Sequence, residues 1–277
     1  MRIGIFDSGI GGLSVLHEAY HRFPDEEYIF YADTRHVPYG TKSEDEIKGY
    51  VDGIVRFLIE KKVDAIVIAC NTATSVGASM VRQKYDLPIL GMEPAVKPAV
   101  EESPEDERRI LVMATPVTLR EKKLEMLLNR VDIGHKADLL EMPGLVTFAE
   151  KEEFEGDEVR EYIRQRFKTL DASDTKYSGL VLGCTHFNYF KPLYKEILGD
   201  NIHLIDGNHG TINHLGDVMG LKAKNTPDNE IIFNEPQDIV VRFKTTYYES
   251  GDEITDTVRL SKYLRMLSRL EFVRNFR

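Results

Sequence analysis

The chain is predicted to be an α/β protein of two similar lobes, each a mostly parallel sheet flanked by helices, with the functional cleft between them. Three observations lead there. Short apolar runs alternate with stretches of helical periodicity, the pattern of βα units. The segment RIGIFDS at Arg2–Ser8 lines up with RILVMAT at Arg109–Thr115, an offset of 109 − 2 = 107. The two cysteines, Cys70 in ACNTAT and Cys184 in GCTHF, each follow an apolar run, at an offset of 184 − 70 = 114. Each half therefore opens with arginine, an apolar strand and a hydroxyl residue, and later ends a strand on a thiol. Carboxyl ends of strands are where open α/β sheets keep their ligand chemistry. The lobes are expected at 1–97 plus about 206–277, carrying Cys70, and at about 98–205, carrying Cys184.

The elements follow in order. RIGIF is the first strand, DSGIGG a turn, and Leu13 to about Phe23 a helix. EYIFYAD at Glu27–Asp33 is a second strand, followed by a polar loop. From Ser43 to Lys61, Ile47, Val51, Ile54, Val55 and Leu58 share one helical face, and Ser43 with Glu46 gives a capping-box start. The cysteine strand spans Ala65–Ala69, a helix runs from about Thr74 to Tyr85, and LPILGM is a short strand. The charged EESPEDERR (Glu101–Arg109) reads as a solvated helix end or linker. The second series comprises RILVMA, a helix near Pro116–Leu128, helices on either side of EKEEFEGDE, and the strand SGLVLGC. FKPLYKEILG is a helix, IHLID a strand, and GNHGTINHLGDVMG a turn and helix. The final segment from Glu230 mixes short strands with a basic helix, expected to return to the first lobe.

Composition narrows the function. A hydrophobic content of 42% suits a globular core, and a net charge of −10 argues against general nucleic-acid binding, which needs clustered Lys and Arg. A small anion remains acceptable, because a few amides or a helix N-terminus can hold one. The opening MRIGIFDSGIGG does not read as a signal peptide, and no run is long enough to span a bilayer. With only two cysteines, the expected location is the cytoplasm.

Several chemistries fit poorly. DSGIGG imitates a dinucleotide loop, with Asp33 placed 24 residues after Gly9, but Ser14 stands where the third glycine is due. No metal is expected: Cys184 and His186 lack a second pair at ligand spacing to join them, and Cys70 has no neighbouring histidine. A disulfide is unfavoured in a reducing compartment. In CTH, an extended segment would set thiol and imidazole on one side, as in a Cys-His nucleophile. That reading leaves Cys70 unused. Two thiols on facing lobes use both: one removes a proton from one face of a small molecule and the other delivers a proton to the opposite face. Hydroxyl, amide and backbone groups around Asn71, Thr72 and Thr185 would fix a carboxylate.

DSGIGGLSVL, PYG, ACNTAT, GMEPAVKPA and GCTHF, in this order, resemble a bacterial glutamate racemase of the cofactor-independent aspartate/glutamate racemase superfamily. The resemblance covers essentially the whole chain. It implies interconversion of L- and D-glutamate at an active site between the lobes, by two bases with no cofactor and no metal. D-Glutamate would go to peptidoglycan synthesis. By the same resemblance Cys70 takes the α-proton from D-glutamate and Cys184 from L-glutamate, with Asp7, His186 and Glu150 as supporting acid–base groups. Asp7, Ser8, Tyr39, Gly40, Asn71, Thr72, Thr115, Thr118, Thr185 and His186 match substrate-holding positions. Partners implied are glutamate and a second copy in a homodimer, with no nucleic acid and no membrane. The chain departs from the family at FNYF after GCTH, at LIDG, and at LVTFAE before Glu150. Two alternatives stay open: a racemase for aspartate or another amino acid, and a non-catalytic, gyrase-binding relative. The aspartate branch resembles GCTE at the second motif, so His186 favours glutamate.

Overall fold

The computed structural model of the chain describes residues 1–101, 107–224 and 243–276. Most of the charged linker and the start of the final segment lie outside them. Two sheets organise the rest. The first holds β1 (Arg2–Asp7), β2 (Glu27–Ala32), β3 (Ala65–Ile68), β4 (Ile89–Gly91), β9 (Lys244–Glu249) and β10 (Asp252–Glu253), in the order β10-β9-β2-β1-β3-β4. Every pairing in it is parallel except the β9–β10 hairpin. The second holds β5 (Arg109–Ala114), β6 (Ala137–Glu141), β7 (Tyr177–Gly183) and β8 (His203–Asp206), all parallel, in the order β6-β5-β7-β8.

The repeat seen in the sequence is therefore topological. In each lobe the opening strand lies between the second and third strands, and the fourth lies beyond the third. The opening arginines act alike as well. Arg2 Nε donates to Glu27 on β2 at 2.9 Å, and Arg109 grips Asp138 on β6 through Nε and Nη2, both at 2.6 Å. Both third strands, β3 and β7, are buried along their whole length, as parallel strands covered on both faces must be. Each delivers its cysteine one residue or two beyond its carboxyl end.

The helices that matter to the site are α1 (Leu13–Arg22), α2 (Glu44–Glu60), α3 (Asn71–Lys84), α4 (Val96–Glu101), α5 (Pro116–Arg120), α6 (Lys122–Val131) and α7 (Gly144–Glu150). They continue with α8 (Asp157–Lys168), α9 (Lys191–Leu198), α10 (Asn208–Met219) and α11 (Thr257–Val273). The five apolar residues expected on one face of α2 are all buried, and Ser43 and Glu46 form the full capping box. The final segment does return to the first lobe: β9 runs parallel beside β2. Its basic helix α11 buries Tyr263, Met266, Leu267, Leu270 and Val273, and packs on both α1 and the 3₁₀ turn Thr185–Phe190. It thus touches both lobes.

Three local expectations are corrected. Helix α3 begins at Asn71, not near Thr74, because Cys70 itself caps it: its Sγ accepts from Ala73 N at 3.4 Å. Helix-start rules look for Ser, Thr, Asp or Asn and pass over sulfur. The helix expected over Pro116–Leu128 is two, broken where Glu121 adopts an extended backbone and serves as the cap of both. Cys184-Thr185-His186 is not an extended tripeptide. Thr185 opens a 3₁₀ turn, closed at its start by Phe187 N donating to Cys184 O at 3.0 Å. That turn sends the fully buried Phe187, Tyr189 and Phe190 into the core.

Candidate active site

β1 ends on Asp7, fully buried between the lobes. Its Oδ2 accepts from Gly9 N at 3.0 Å, and its Oδ1 accepts from Thr185 Oγ1 of the other lobe at 3.2 Å. Burial pushes its carboxyl above the ordinary range, against the pull of His186 and Gly9. Ser8, next in the chain, faces Cys70, whose Sγ lies 3.7 Å from Ser8 Oγ. Cys70 thus sits at the N-terminus of α3 with a hydroxyl and an amide at its sulfur. A helix N-terminus favours a thiolate. Burial first, then the nearby Asp7, outweigh that and push this thiol up, so Cys70 rests protonated.

Cys184 has a different partner. Its Sγ lies 3.8 Å from Nδ1 of His186, whose Nε2 lies 2.8 Å from Glu150 Oε1. Glu150 ends α7, and the same Oε1 accepts from Ile10 N at 2.8 Å. Burial alone would discharge both members of this pair, but their mutual interaction wins. His186 is raised well above its ordinary value through Cys184 and Glu150, and Glu150 is lowered mainly through His186. Both directions favour a charged imidazole between Cys184 and the Glu150 carboxylate.

The pair's effect on stability has a definite sign. A carboxyl depressed on folding stabilises the native state above its unfolded value, 4.5 here, and loses that contribution as pH falls through the folded value. The stability gap between the native chain and Glu150→Gln should therefore be widest above pH 4.5 and shrink below it. Urea midpoints across pH check this, and a gap independent of pH contradicts it.

The Gly9–Gly12 turn allows this contact between lobes. A Cβ on Gly9 would stand 1.8 Å from Glu150 Oε1, and one on Gly11 would stand 2.3 Å from His186 Nδ1 and 2.4 Å from Thr185 Oγ1. Nothing larger than hydrogen fits. Gly11→Ala is expected to cost about 1–3 kcal/mol by overpacking. It should also displace His186. The urea midpoint at constant m checks the first effect, and an unchanged midpoint contradicts it.

A second polar group also joins the lobes. Oγ1 of Thr72, at the start of α3, lies 2.9 Å from that of Thr115 and 3.1 Å from that of Thr118, while Thr115 and Thr118 are 3.0 Å apart. Gly40 abuts them, so that a Cβ there would stand 2.8 Å from Thr115 Cβ. Asn71, which opens α3 just before Thr72, is 3% exposed, and neither its amide oxygen nor its amide nitrogen has a hydrogen-bond partner. Buried unsatisfied amide groups cost on the order of 1–3 kcal/mol, so such a side chain needs a reason. Tyr39 shares a buried cluster with Cys70 but turns its hydroxyl away, donating to Asp33, which also holds His36 and Ser250. The sequence missed Lys262 on α11, which donates to the main-chain oxygen of Glu150 at 3.1 Å and lies 4.0 Å from its Oε2. At a sequence separation of 112, no local pattern pairs the two.

Acid–base groups thus come from both lobes: Asp7, Ser8 and Cys70 from one, Cys184, Thr185, His186 and Glu150 from the other. Each thiol has its own proton partners nearby. Such a cleft can pass protons to and from a small molecule held within it. Among the described residues, no helix is long and apolar enough to cross a membrane.

The family model for Asp/Glu/Hydantoin racemase matches residues 13–215. The chain is 44% identical to the glutamate racemase of Lachnospira eligens, covering 99% of both chains. It is 48% identical to that of Campylobacter curvus, over 98% of this chain and 97% of the relative. Its structure is similar to that of Escherichia coli glutamate racemase in complex with L-glutamate and the activator UDP-MurNAc-ala, at a TM-score of 0.75 and 26% identity. That likeness covers 91% of this chain and 98% of the other. A model match across most of the chain, and identity sustained along nearly the full length of both relatives, place the chain in the Asp/Glu/Hydantoin racemase family.

Proposed function

We propose that the protein interconverts L- and D-glutamate, with Cys70 and Cys184 as opposed proton carriers. The observation that carries this is the pair of buried thiols, one beyond the third strand of each lobe, each with its own proton partner. The similarity to glutamate racemases, one of them solved with L-glutamate, supplies the substrate. Cys184 takes the α-proton of L-glutamate while the protonated Cys70 delivers one to the other face. The D-enantiomer runs the same path backwards. His186, held charged by Glu150, exchanges protons with Cys184, and Asp7 and Ser8 serve Cys70. The carbanion-like intermediate gains most from fixed dipoles in a dry site, so the lobes close over the substrate.

The carboxylates and ammonium group need donors and acceptors. Asn71 offers a buried amide with both ends unsatisfied, which a carboxylate or ammonium would satisfy. Thr72, Thr115 and Thr118 offer three hydroxyls that bond to one another and could turn to a carboxylate instead. Gly40 contributes its backbone, and so does Tyr39, since its hydroxyl is engaged by Asp33. Each lobe is taken as a domain, 1–97 with about 206–277 and about 98–205. A cytoplasmic homodimer supplying D-glutamate to peptidoglycan completes the reading.

Aspartate is the second substrate to weigh, but His186 at the GCTH motif favours glutamate. Incubation of L-glutamate and, separately, L-aspartate in D₂O, followed by chiral chromatography and mass spectrometry, tests the proposal. D-Glutamate carrying deuterium at Cα is expected, with aspartate turned over far more slowly. Faster turnover of aspartate would reassign the substrate. Absence of exchange with glutamate despite tight binding would indicate a binding protein.

A further inference from the structure

Away from the cleft, α1 and α11 share one polar cluster inside an apolar contact. His17 and His21 are four residues apart on α1 and so project from the same face. Both point Nε2 at the same atom, Oε2 of Glu271 on α11, at 2.7 Å and 2.9 Å. Their rings meet edge to face, 4.7 Å between centroids. The histidines are 5% and 6% exposed, whereas the Glu271 side chain keeps 18%, leaving one side open to solvent. All three ligand atoms lie within 4.8 Å of one another.

We propose that His17, His21 and Glu271 form a site for a divalent transition metal of the zinc class, joining the C-terminal helix to the first lobe. Two imidazole nitrogens and one carboxylate oxygen, with solvent at a fourth position, are an ordinary ligand set for Zn²⁺. Bonds of about 2.0–2.2 Å to a tetrahedral ion set its ligand atoms roughly 3.3 Å apart. To meet that geometry the two histidine–glutamate separations open by roughly half an ångström, and the two imidazole nitrogens, within 4.8 Å of each other, draw together around one cation.

The position gives the ion a structural consequence. α1 starts from the Gly9–Gly12 turn that touches His186, and α11 carries Lys262 to Glu150. A metal between these helices would tighten the frame behind the catalytic histidine without touching the substrate. The alternative is a hydrogen-bonded clamp with no affinity for metal.

The full-length chain with Cys70→Ser and Cys184→Ser, stripped with EDTA, separates this site from metal bound by the thiols. On titration with ZnCl₂ the site predicts one equivalent bound per chain, with an unfolding midpoint that rises with free Zn²⁺. CoCl₂ should give ligand-field absorption without a thiolate charge-transfer band. Adding His21→Gln or Glu271→Gln, each keeping a polar group of similar size, should weaken Zn²⁺ binding by at least tenfold. The first equivalent of Cu²⁺ should show coupling to two nitrogens by electron paramagnetic resonance, a readout that needs no further variant to fold. Absence of stoichiometric Zn²⁺ binding, equal affinity in a folded variant, or a copper spectrum without the two nitrogens would overturn the proposal.

Discussion

Replacing either Cys70 or Cys184 by serine will lower kcat/KM by roughly 10²- to 10⁴-fold, the scale of a lost acid–base partner. A hydroxyl holds its proton too tightly to exchange it near neutral pH. The loss must be the same in both directions. L- and D-glutamate have equal free energies in water, so their kcat/KM values stay equal in any variant, whichever thiol is damaged. An asymmetric lesion can show only in how kcat and KM divide the loss. Chiral chromatography of initial rates from each enantiomer measures this. A serine variant within about tenfold of the native rate would remove that thiol from the mechanism.

His186→Gln is the second large effect, expected at roughly 10²-fold on kcat/KM. Among the described residues the ring is the one side chain within hydrogen-bond reach of both Cys184 and Glu150. Glu150 acts through it and is a positioning residue, so Glu150→Gln should cost less and shift the pH profile. Without its anionic partner the imidazolium becomes more acidic, and the limb of the profile set by His186 moves to lower pH. In the double variant the Glu150 change should add little, because its partner has gone. Additive losses with an unmoved profile would mean that Glu150 acts elsewhere.

The lobes and the two thiols were legible because their signals are local. Apolar strands, the Arg-strand-hydroxyl opening and the cysteines at equivalent offsets all lie within short windows. The common strand order then follows from repeating one βα series. What was hidden depends on contacts between distant segments or on chemistry outside the usual patterns. Sulfur capped α3 where the rules expect oxygen or nitrogen, so the helix start moved to Asn71. Buried aromatics tightened the segment after Cys184 into a 3₁₀ turn, so the thiol and imidazole meet by a bend and not by strand alternation. Lys262 reaches Glu150 across 112 residues, and Glu271 reaches His21 across 250. The HEAYH spacing is visible in the sequence, but its third partner is not.

The relation of the two sulfurs to one carbon is most directly read from a crystal structure of the native protein with D-glutamate bound. The account predicts Cα between Cys70 Sγ and Cys184 Sγ, each about 3–3.5 Å from the reacting position and on opposite faces of the substrate. Both sulfurs on one face, or either of them shut off from Cα, would contradict it.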